Sequence, residues 1–384
     1  MRDFECVFSV IDDPRAPNVS HRLGDLLIMM IAASLCGAST ATEFALFAET
    51  RKPLLKQIIT YDHAPSHDTF SRLLRLMNPE QFTALLSRFA TAFGQTIAPP
   101  HRTAASADQT DQDAPAPVMP PVMPPAMTPV IAIDGKTLRA AHEAGCKTAP
   151  PLTVSAFATH TRLCLAMATP SQGDNEVEAA LRVVQLIDMA GKIITADALH
   201  CHRRMAKAIT SRGGDYMLAL KGNRSTWHGQ AVELFQSSPP DQTCETKEIS
   251  HGRKEWRKAE VIAVHTPVIE GHKAYVRLTS KRDDQPCNHR YYITSLQTGA
   301  AEALRTIRQH WAIENNLHWV LDVHLNEDQN RGRKDHAISN IAILKRIARN
   351  ILQIVDKPKV PISHRIKKCA WDETYLINAI SHMR

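Results

Sequence analysis

Short apolar runs that end in an acidic residue mark two predicted strands in the middle of the chain. Ile131-Ala132-Ile133 is followed by Asp134 and Gly135, and Ile193-Ile194-Thr195-Ala196 is followed by Asp197. Such runs are typical of buried strands that end at a turn, where side chains often meet ligands. A solvated Asp-Gly turn would explain the first run by itself. The recurrence of the pattern favours a functional site.

The apolar pattern after residue 130 predicts a mixed α/β region. Three strands come first and are followed by helices and strands in alternation, which is the order of an RNase H-like core. Strand-like texture returns over residues 245–295 and predicts a β-rich insertion ahead of the last helices. The predicted elements are strands at 131–133, 152–158 and 163–168, a helix at 175–189, a strand at 192–196, a helix at 199–211, a strand at 216–221, and helices from Ala300 and from His336 to Val355.

The first 97 residues predict helices. Ser66 precedes an amphipathic run and is a suitable helix cap. Together with the short helix before it, this run resembles a helix-turn-helix that would expose Ser66, His67, Thr69 and Arg72 to DNA. Most such helix pairs are only packing units, so the pattern alone leaves DNA contact and packing both open.

Composition divides the chain into four predicted parts. Residues 98–130 hold 9 of the 23 prolines, which is typical of an extended, semi-rigid linker. We therefore predict a small all-α N-terminal domain at 1–97, the linker at 98–130, an RNase H-like α/β catalytic core at 131–356 and a basic C-terminal tail at 357–384.

Length and composition indicate an ordinary globular protein. The chain has 384 residues, 43% of them hydrophobic and 22% charged. Its most apolar stretch, Leu26–Ala38, spans 13 residues, short of the roughly 20 that cross a bilayer. There is no secretory signal pattern at the N-terminus. Eight cysteines without a CxxC pair indicate neither a disulfide framework nor a zinc ribbon, and they fit a reducing cytoplasm.

Positive charge is concentrated at the C-terminal end. Residues 331–384 contain 12 Lys and Arg against 4 Asp and Glu, a net charge of +8, whereas the whole chain carries +7. A basic end on a nearly neutral body suggests a polyanionic partner, with nucleic acid as the first candidate. A solvated helical face would explain the same charges.

A third acid, Glu314, falls in an unusual position on the helix after Ala300. At about 100° per residue it lies near the middle of the apolar stripe. A buried carboxylate is costly unless it is paired, protonated or bound to a metal. A buried ion pair would explain Glu314 alone, but the two strand aspartates favour a metal site. The stripe consists of Leu304, Ile307, Trp311, His318, Leu321 and Leu325.

The donor types indicate which metal to expect. Three carboxylates without a cluster of His and Cys favour Mg²⁺ or Mn²⁺ over zinc. His200, Cys201 and His202 follow Asp197, but residues two apart on a helix do not face one site. We therefore interpret them as incidental to the metal site.

Several segments resemble the DDE transposases of bacterial insertion sequences. Ala132–Arg139, Asp215–Asn223 and His310–Val323 are similar to the catalytic core of the subfamily that includes the H-repeat-associated proteins. Asp13–Arg15 and Pro65–Arg72 are similar to the domain that precedes that core. The resemblance covers nearly the whole chain apart from the proline-rich linker.

This resemblance implies a function and a set of site residues. Asp134, Asp197 and Glu314 would be the catalytic acids and would bind two Mg²⁺ or Mn²⁺ ions. The protein would act on double-stranded DNA as a homodimer, would be cytoplasmic and associated with the nucleoid, and would have no membrane partner. It would cut DNA at the element's ends and join the freed 3′-hydroxyl to target DNA. The residues expected to contact DNA are Lys136, Lys221, Arg253, Arg257, His310, Arg331, Arg333, Ser66, His67 and Arg72.

The sequence also departs from the family pattern around Glu314. Related transposases often carry Tyr, Arg and Lys at positions occupied here by Ile307, His310 and Leu321, which leaves open which residues hold the terminal phosphate and a flipped base. Two alternatives follow from the same motifs. One is an RNase H-like nuclease that cuts without joining, and the other is an inactive DNA-binding remnant of a transposase.

Overall fold

A computed structural model describes residues 8–97, 128–141, 150–171, 173–250, 252–283, 285–332, 334–356 and 359–382. Residues 98–127 of the predicted linker and the predicted DNA contact Arg333 lie outside this described part. Within the described residues, no helix combines the length and the apolar character needed to cross a bilayer.

The first described region is helical, as predicted. Some of its helices begin at polar caps: Thr40 and Glu43 form a reciprocal capping box, and the Ser66 hydroxyl accepts the amide of Thr69. The helices are α1 (Leu23–Leu35), α2 (Ala41–Thr50), α3 (Lys52–Leu55), α4 (His67–Leu76) and α5 (Pro79–Ile97).

The centre of the molecule is one nine-stranded sheet with the order β3-β2-β1-β4-β5-β9-β8-β7-β6. β1, β2 and β3 form an antiparallel meander, and β4 and β5 run parallel to β1, so the predicted RNase H-like core is confirmed. The predicted insertion is also β-rich, and it extends the same sheet. The strands are β1 (Val130–Thr137), β2 (Leu152–Ala158), β3 (Leu163–Ala168), β4 (Ile193–Ala196), β5 (Asp215–Leu220), β6 (Gln242–Ser250), β7 (Arg253–Ala263), β8 (Ala274–Arg282) and β9 (Asn288–Thr294).

Helices cover both faces of this sheet. Alternate residues of β1 point to opposite layers: Ile131 and Ile133 join the core beneath α6 and α7, whereas Ala132 joins the core beneath α5 and α11. The helix α9 crosses the sheet over β1 and β4 and continues toward Glu314. The remaining helices are α6 (Glu176–Leu186), α7 (Arg203–Thr210), α8 (Ser225–Ser237), α9 (Ala300–His310), α10 (Trp319–Val323), α11 (Ala337–Ile354), α12 (Ile362–Trp371) and α13 (Glu373–Ser381).

The N-terminal helices and the C-terminal residues both pack against the rest of the molecule. Buried residues of α1, α2, α4 and α5 share one continuous core with α11 and with Phe157 and Leu163 of the sheet, so the N-terminal helices do not form a separately packed domain. Residues 362–381 are not a tail, because they fold as α12 and α13, and Cys369 and Leu376 of these helices are buried in the same core.

The C-terminal charge is also less exposed than the sequence suggests. Lys345, Arg346, Arg349 and Arg365 are each at most 2% exposed. Arg346 donates to Glu327 Oε1 at 2.6 Å, to Ser155 Oγ at 3.0 Å and to Thr153 Oγ1 at 3.0 Å. These basic side chains therefore stabilise the interior and are not available to DNA.

Candidate active site

The sheet brings Asp134 and Asp197 to adjacent positions. β1 and β4 run parallel with Ile133 opposite Ala196, so the next residue of each strand is an aspartate. β4 ends at this point, whereas β1 continues to Thr137 against β2, which differs from the predicted strand end at Asp134. Because β4 ends before Asp197 while β1 continues, the side chains of Asp134 and Asp197 face the open space beyond the end of β4.

Asp197 also has a local structural role. Its Oδ1 accepts the amide of Leu199 at 2.9 Å and caps a short 3₁₀ turn over Ala198–His200. The carboxylate remains 44% exposed. One oxygen is therefore held by the turn, and the side chain is still accessible to a ligand.

Glu314 reaches the same space from the segment that follows α9. Its side chain is 48% exposed, so the prediction that it lies on the buried stripe is wrong. The physical reason is that the regular helix α9 ends at His310 and a π-helical turn follows over Glu314–His318, so positions after His310 do not keep the 100° spacing. Trp311, also assigned to the stripe, is 46% exposed, whereas Ile313 and Leu317 are buried.

The two acids and a histidine form a compact donor cluster. The Asp134 and Glu314 carboxylates lie next to each other. The Nδ1 atom of His318 lies 3.3 Å from Glu314 Oε2 and 3.7 Å from Asp134 Oδ2. One donor atom from each of these three residues lies within 4.8 Å of the other two. This spacing fits a single divalent ion bound between them.

The electrostatics of the cluster also favour a cation. Burial raises the pKa of Asp134 to about 8, and the adjacent carboxylates of Glu314 and Asp197 contribute to the rise. The hydrogen bond from His318 lowers the pKa of Glu314. The Asp134 carboxyl therefore favours its protonated form at pH 7, and a metal ion would take the place of that proton.

Metal binding is expected to strengthen as the pH rises toward 8. Below the pKa of Asp134 a cation has to displace the proton of the Asp134 carboxyl group, so its affinity should rise about tenfold per pH unit and level off above about pH 8. Calorimetric titration of the protein with Mn²⁺ across this pH range measures the effect. Asp134→Asn, which has no proton to lose, should bind weakly at every pH. An affinity for the wild-type protein that did not change with pH would contradict this assignment.

The three acids open into one cleft of about 610 Å³. Lys221, His310 and Trp311 also line it, and the Arg290 guanidinium lies 5.3 Å from the centre of the Trp311 ring. A second cleft of about 560 Å³, between β7, β8 and α9, shares Arg290 and Trp311 with the first. The site is therefore continuous with a basic and aromatic surface.

His310 and Lys136 occupy positions that differ from the DNA contacts predicted for them. His310 Nδ1 lies 3.0 Å from the Thr195 hydroxyl, and burial lowers its pKa to about 4, so the imidazole is neutral at pH 7. Lys136 is only 7% exposed, and its Nζ lies 2.7 Å from Asp322 and 2.8 Å from Asp328. Its charge is neutralised inside the fold, where it connects β1 to the segment after Glu314.

The other predicted DNA contacts are mostly at the surface. Arg257 is the exception, because it is half-buried and paired with Glu248 and Glu255. Lys221 lies at the cleft, and the structure does not gather the remaining residues around the acids. The exposed ones are Ser66, His67, Arg72, Lys221, Arg253 and Arg331.

Three residues near the acids were not among the predicted site residues. His318 follows Glu314 by four residues, which is a helical neighbour spacing that could have identified it. Glu176 begins α6 beside Gly135. His200 was considered incidental because a helix was assumed, but it lies on the 3₁₀ turn and its Nε2 is 3.9 Å from Asp197 Oδ1. His202 has a structural role, since its ring accepts the Met205 amide and caps α7.

Comparisons with known proteins show which family the chain resembles over most of its length. The family described as "Transposase DDE domain" matches residues 125–351, and the one described as "DDE_Tnp_1-associated" matches residues 6–90. YhhI, an H repeat-associated protein of Escherichia coli (strain K12), is 30% identical over an alignment 392 residues long. This alignment covers 97% of this chain and 96% of that protein. A protein encoded in the dhlA 3′ region of Xanthobacter autotrophicus is 32% identical and covers 75% of this chain and 92% of its own length.

Among solved structures, a piggyBac transposase synaptic complex with hairpin DNA covers 97% of this chain and 80% of its own, with 10% identity and a TM-score of 0.41. The family matches extend over both the helical N-terminal region and the strands and helices that carry the three acids. This chain belongs to the DDE transposase family.

Proposed function

We propose that this protein is the transposase of a bacterial insertion sequence. It binds the inverted repeats at the element's ends, cleaves DNA there and joins the freed 3′-hydroxyl to target DNA. The observation that carries the proposal is the convergence of Asp134, Asp197 and Glu314 on one open cleft, from two adjacent strands and a π-helical turn. These are the residues that the family resemblance identifies as the catalytic acids.

The donor set fits hard divalent cations. Asp134, Glu314 and His318 would hold one ion, and Asp197 would contribute to a second. Bound ions of this kind activate the attacking oxygen and stabilise the leaving oxygen of a phosphodiester. An imidazole nitrogen suits Mn²⁺ better than Mg²⁺, so we expect Mn²⁺ to bind more tightly.

The remaining residues of the cleft position the DNA. The exposed Lys221 is placed to contact a backbone phosphate beside the acids. Trp311 offers an exposed ring on which an unpaired base can stack, and Arg290 adds a cation at its face. His310, held neutral and bonded to Thr195, can orient groups near Asp197 without adding charge.

Binding of the terminal repeats involves surfaces away from the acids. The exposed Ser66, His67 and Arg72 of α4 and the exposed Arg331 are the proposed contacts. α4 is fixed to the segment before α11, because Arg75 pairs with Asp335 at 2.7 Å and Asn340 donates to the Leu74 and Met77 carbonyls. Because two ends of an element have to be brought together, we expect two copies of the chain in the active complex with DNA.

Salt dependence should reveal the contacts made by the segment before α11. Replacing the exposed Arg331 and Lys334 by alanine removes two phosphate contacts, so the slope of log K against log salt should become shallower by about 0.9 per contact. Gel-shift titrations at several salt concentrations measure this slope. Lys192→Ala, at the opposite end of β4, is the matched control and should leave it unchanged. An unchanged slope for the double variant would show that this segment is only a solvated surface.

The test of the proposed function is incubation of the full chain with DNA that carries the ends flanking its gene. We expect Mn²⁺-dependent nicks with 3′-hydroxyl ends at the borders of the inverted repeats. Nicks at random positions would favour a nuclease of the same fold, and no cleavage with any divalent ion would indicate an inactive remnant.

A further inference from the structure

A fourth carboxylate lies near Asp134 and Asp197. Glu176 is the first residue of α6, and its position is fixed because the Asn175 side chain accepts the amides of Val177 and Glu178 and caps the helix. The carboxylate of Glu176 rests over the backbone of Gly135, the residue after Asp134. A methyl group at Gly135 would overlap it. The absence of a side chain at Gly135 therefore leaves space for Glu176.

A buried histidine links Glu176 to Asp197. His200 is fully buried, and its Nε2 lies 3.4 Å from Glu176 Oε1 and 3.9 Å from Asp197 Oδ1. Within the described residues, neither ring nitrogen makes a hydrogen bond. Burying an imidazole without a hydrogen bond costs free energy. Because the His200 ring lies between two carboxylates, we expect these carboxylates to bind a ligand or to shift and accept a hydrogen bond from the ring.

The two sides of the site differ in the donors that they offer. Asp134, Glu314 and His318 form the compact cluster on one side. On the other side, Asp197 has one oxygen held by the Leu199 amide. Glu176, 25% exposed and lying over Gly135, would supply a further oxygen there. Carboxylates of this kind are the usual protein ligands of Mg²⁺ and Mn²⁺.

We propose that Glu176 is a further metal ligand of this site, oriented by His200, and that with Asp197 it holds the ion farther from Glu314. This inference rests on the proposed function, since it concerns the same metal site. His200 is a positioning residue in this account, because it contacts the two carboxylates and not the ion.

The test counts the Mn²⁺ ions bound by the purified full chain, using the electron paramagnetic resonance signal of free Mn²⁺. We expect two ions on the wild-type protein. Glu176→Gln should lose the second ion or weaken it by at least about tenfold, and His200→Asn should weaken it about 10- to 100-fold, as loss of orienting partners does. Glu178→Gln is the matched control. It removes the same charge two residues along the first turn of α6, where Glu178 pairs with Arg204 at the surface, and should leave both ions bound.

Gly135→Ala provides an independent second variant. It leaves the Glu176 carboxylate chemically intact and displaces it, and the extended backbone at Gly135 accepts alanine without a left-handed conformation. It should reproduce the loss of the second ion. If Glu176 only pairs with His200 to support the fold, Glu176→Gln will lower the melting temperature in EDTA and still bind two ions.

The outcomes separate this inference from the proposed function. If Glu176→Gln and Gly135→Ala both bind two ions with wild-type affinity while Asp134→Asn loses Mn²⁺ binding, Glu176 is not a metal ligand. The proposed function would still stand in that case. A wild-type protein that binds no Mn²⁺ would overturn both.

Discussion

Replacing Asp134 by asparagine is expected to abolish DNA cleavage and to leave the binding of terminal repeats nearly unchanged. Asp134 lies between the other acids and is 16% exposed, so its carboxylate is placed to hold the cations and contributes little surface for DNA. Loss of a metal-bound oxygen removes about 4 kcal/mol or more of transition-state stabilisation, which corresponds to a rate loss of at least about 10³-fold. Asp197→Asn and Glu314→Gln should behave in the same way.

The cleavage rate and the affinity for DNA are measured for each variant. Single-turnover nicking of end-labelled DNA gives the rate, and a gel shift in Ca²⁺ or EDTA gives the affinity. Asp188→Asn, on the surface before β4, and Glu302→Gln, in the first turn of α9, are matched controls and should cleave at the wild-type rate. Near-normal nicking by any one of the three acid variants would remove that residue from the catalytic set.

Arg346→Met should lower the free energy of unfolding by about 3–5 kcal/mol, because it leaves the buried carboxylate of Glu327 without its closest cation. Both side chains are at most 1% exposed, and Arg346 also donates to Ser155 and Thr153 of β2. Lys136 lies 3.8 Å from Glu327 and cannot replace the direct bond. Urea unfolding followed by circular dichroism measures the change.

Two controls separate this buried pair from an ordinary surface pair. Arg308→Met breaks a pair with Glu248 in which both side chains are exposed, so it should cost at most about 1 kcal/mol. Adding Glu327→Gln to Arg346→Met should recover part of the lost stability, because the stranded charge is removed. If Arg346→Met were as stable as the wild-type protein, Arg346 would not have the structural role assigned to it.

The strands and the two aspartates could be predicted because their pattern is local. Each aspartate follows a short apolar run, so Asp134 and Asp197 become neighbours when β1 and β4 pair in parallel. The order of strands and helices along the chain indicates that β1 and β4 pair in this way. Glu314 was predicted to be a metal ligand and to be buried. Its role as a ligand stays a prediction, whereas the predicted burial is wrong, because the regular helix ends at His310 and a π-helical turn follows that a 100° spacing does not describe.

Features that depend on distant partners could not be predicted in the same way. Lys136 and Arg346 appear in the sequence as free positive charges, yet their partners Asp322, Asp328 and Glu327 are close only in the folded chain. The N-terminal helices were separated from the core by composition, whereas their apolar faces pack on α11 and the sheet. His200 was misjudged because the turn after Asp197 is too short to show a period.

The most direct measurement is strand joining from a pre-cut DNA end. A labelled duplex that ends at the border of the inverted repeat with a free 3′-hydroxyl is incubated with the full chain, Mn²⁺ and a target plasmid. We expect the label to become covalently joined to the plasmid by the wild-type protein and not by Asp134→Asn. A wild-type preparation that nicks uncut ends but never joins pre-cut ones would contradict the account and identify the protein as a nuclease.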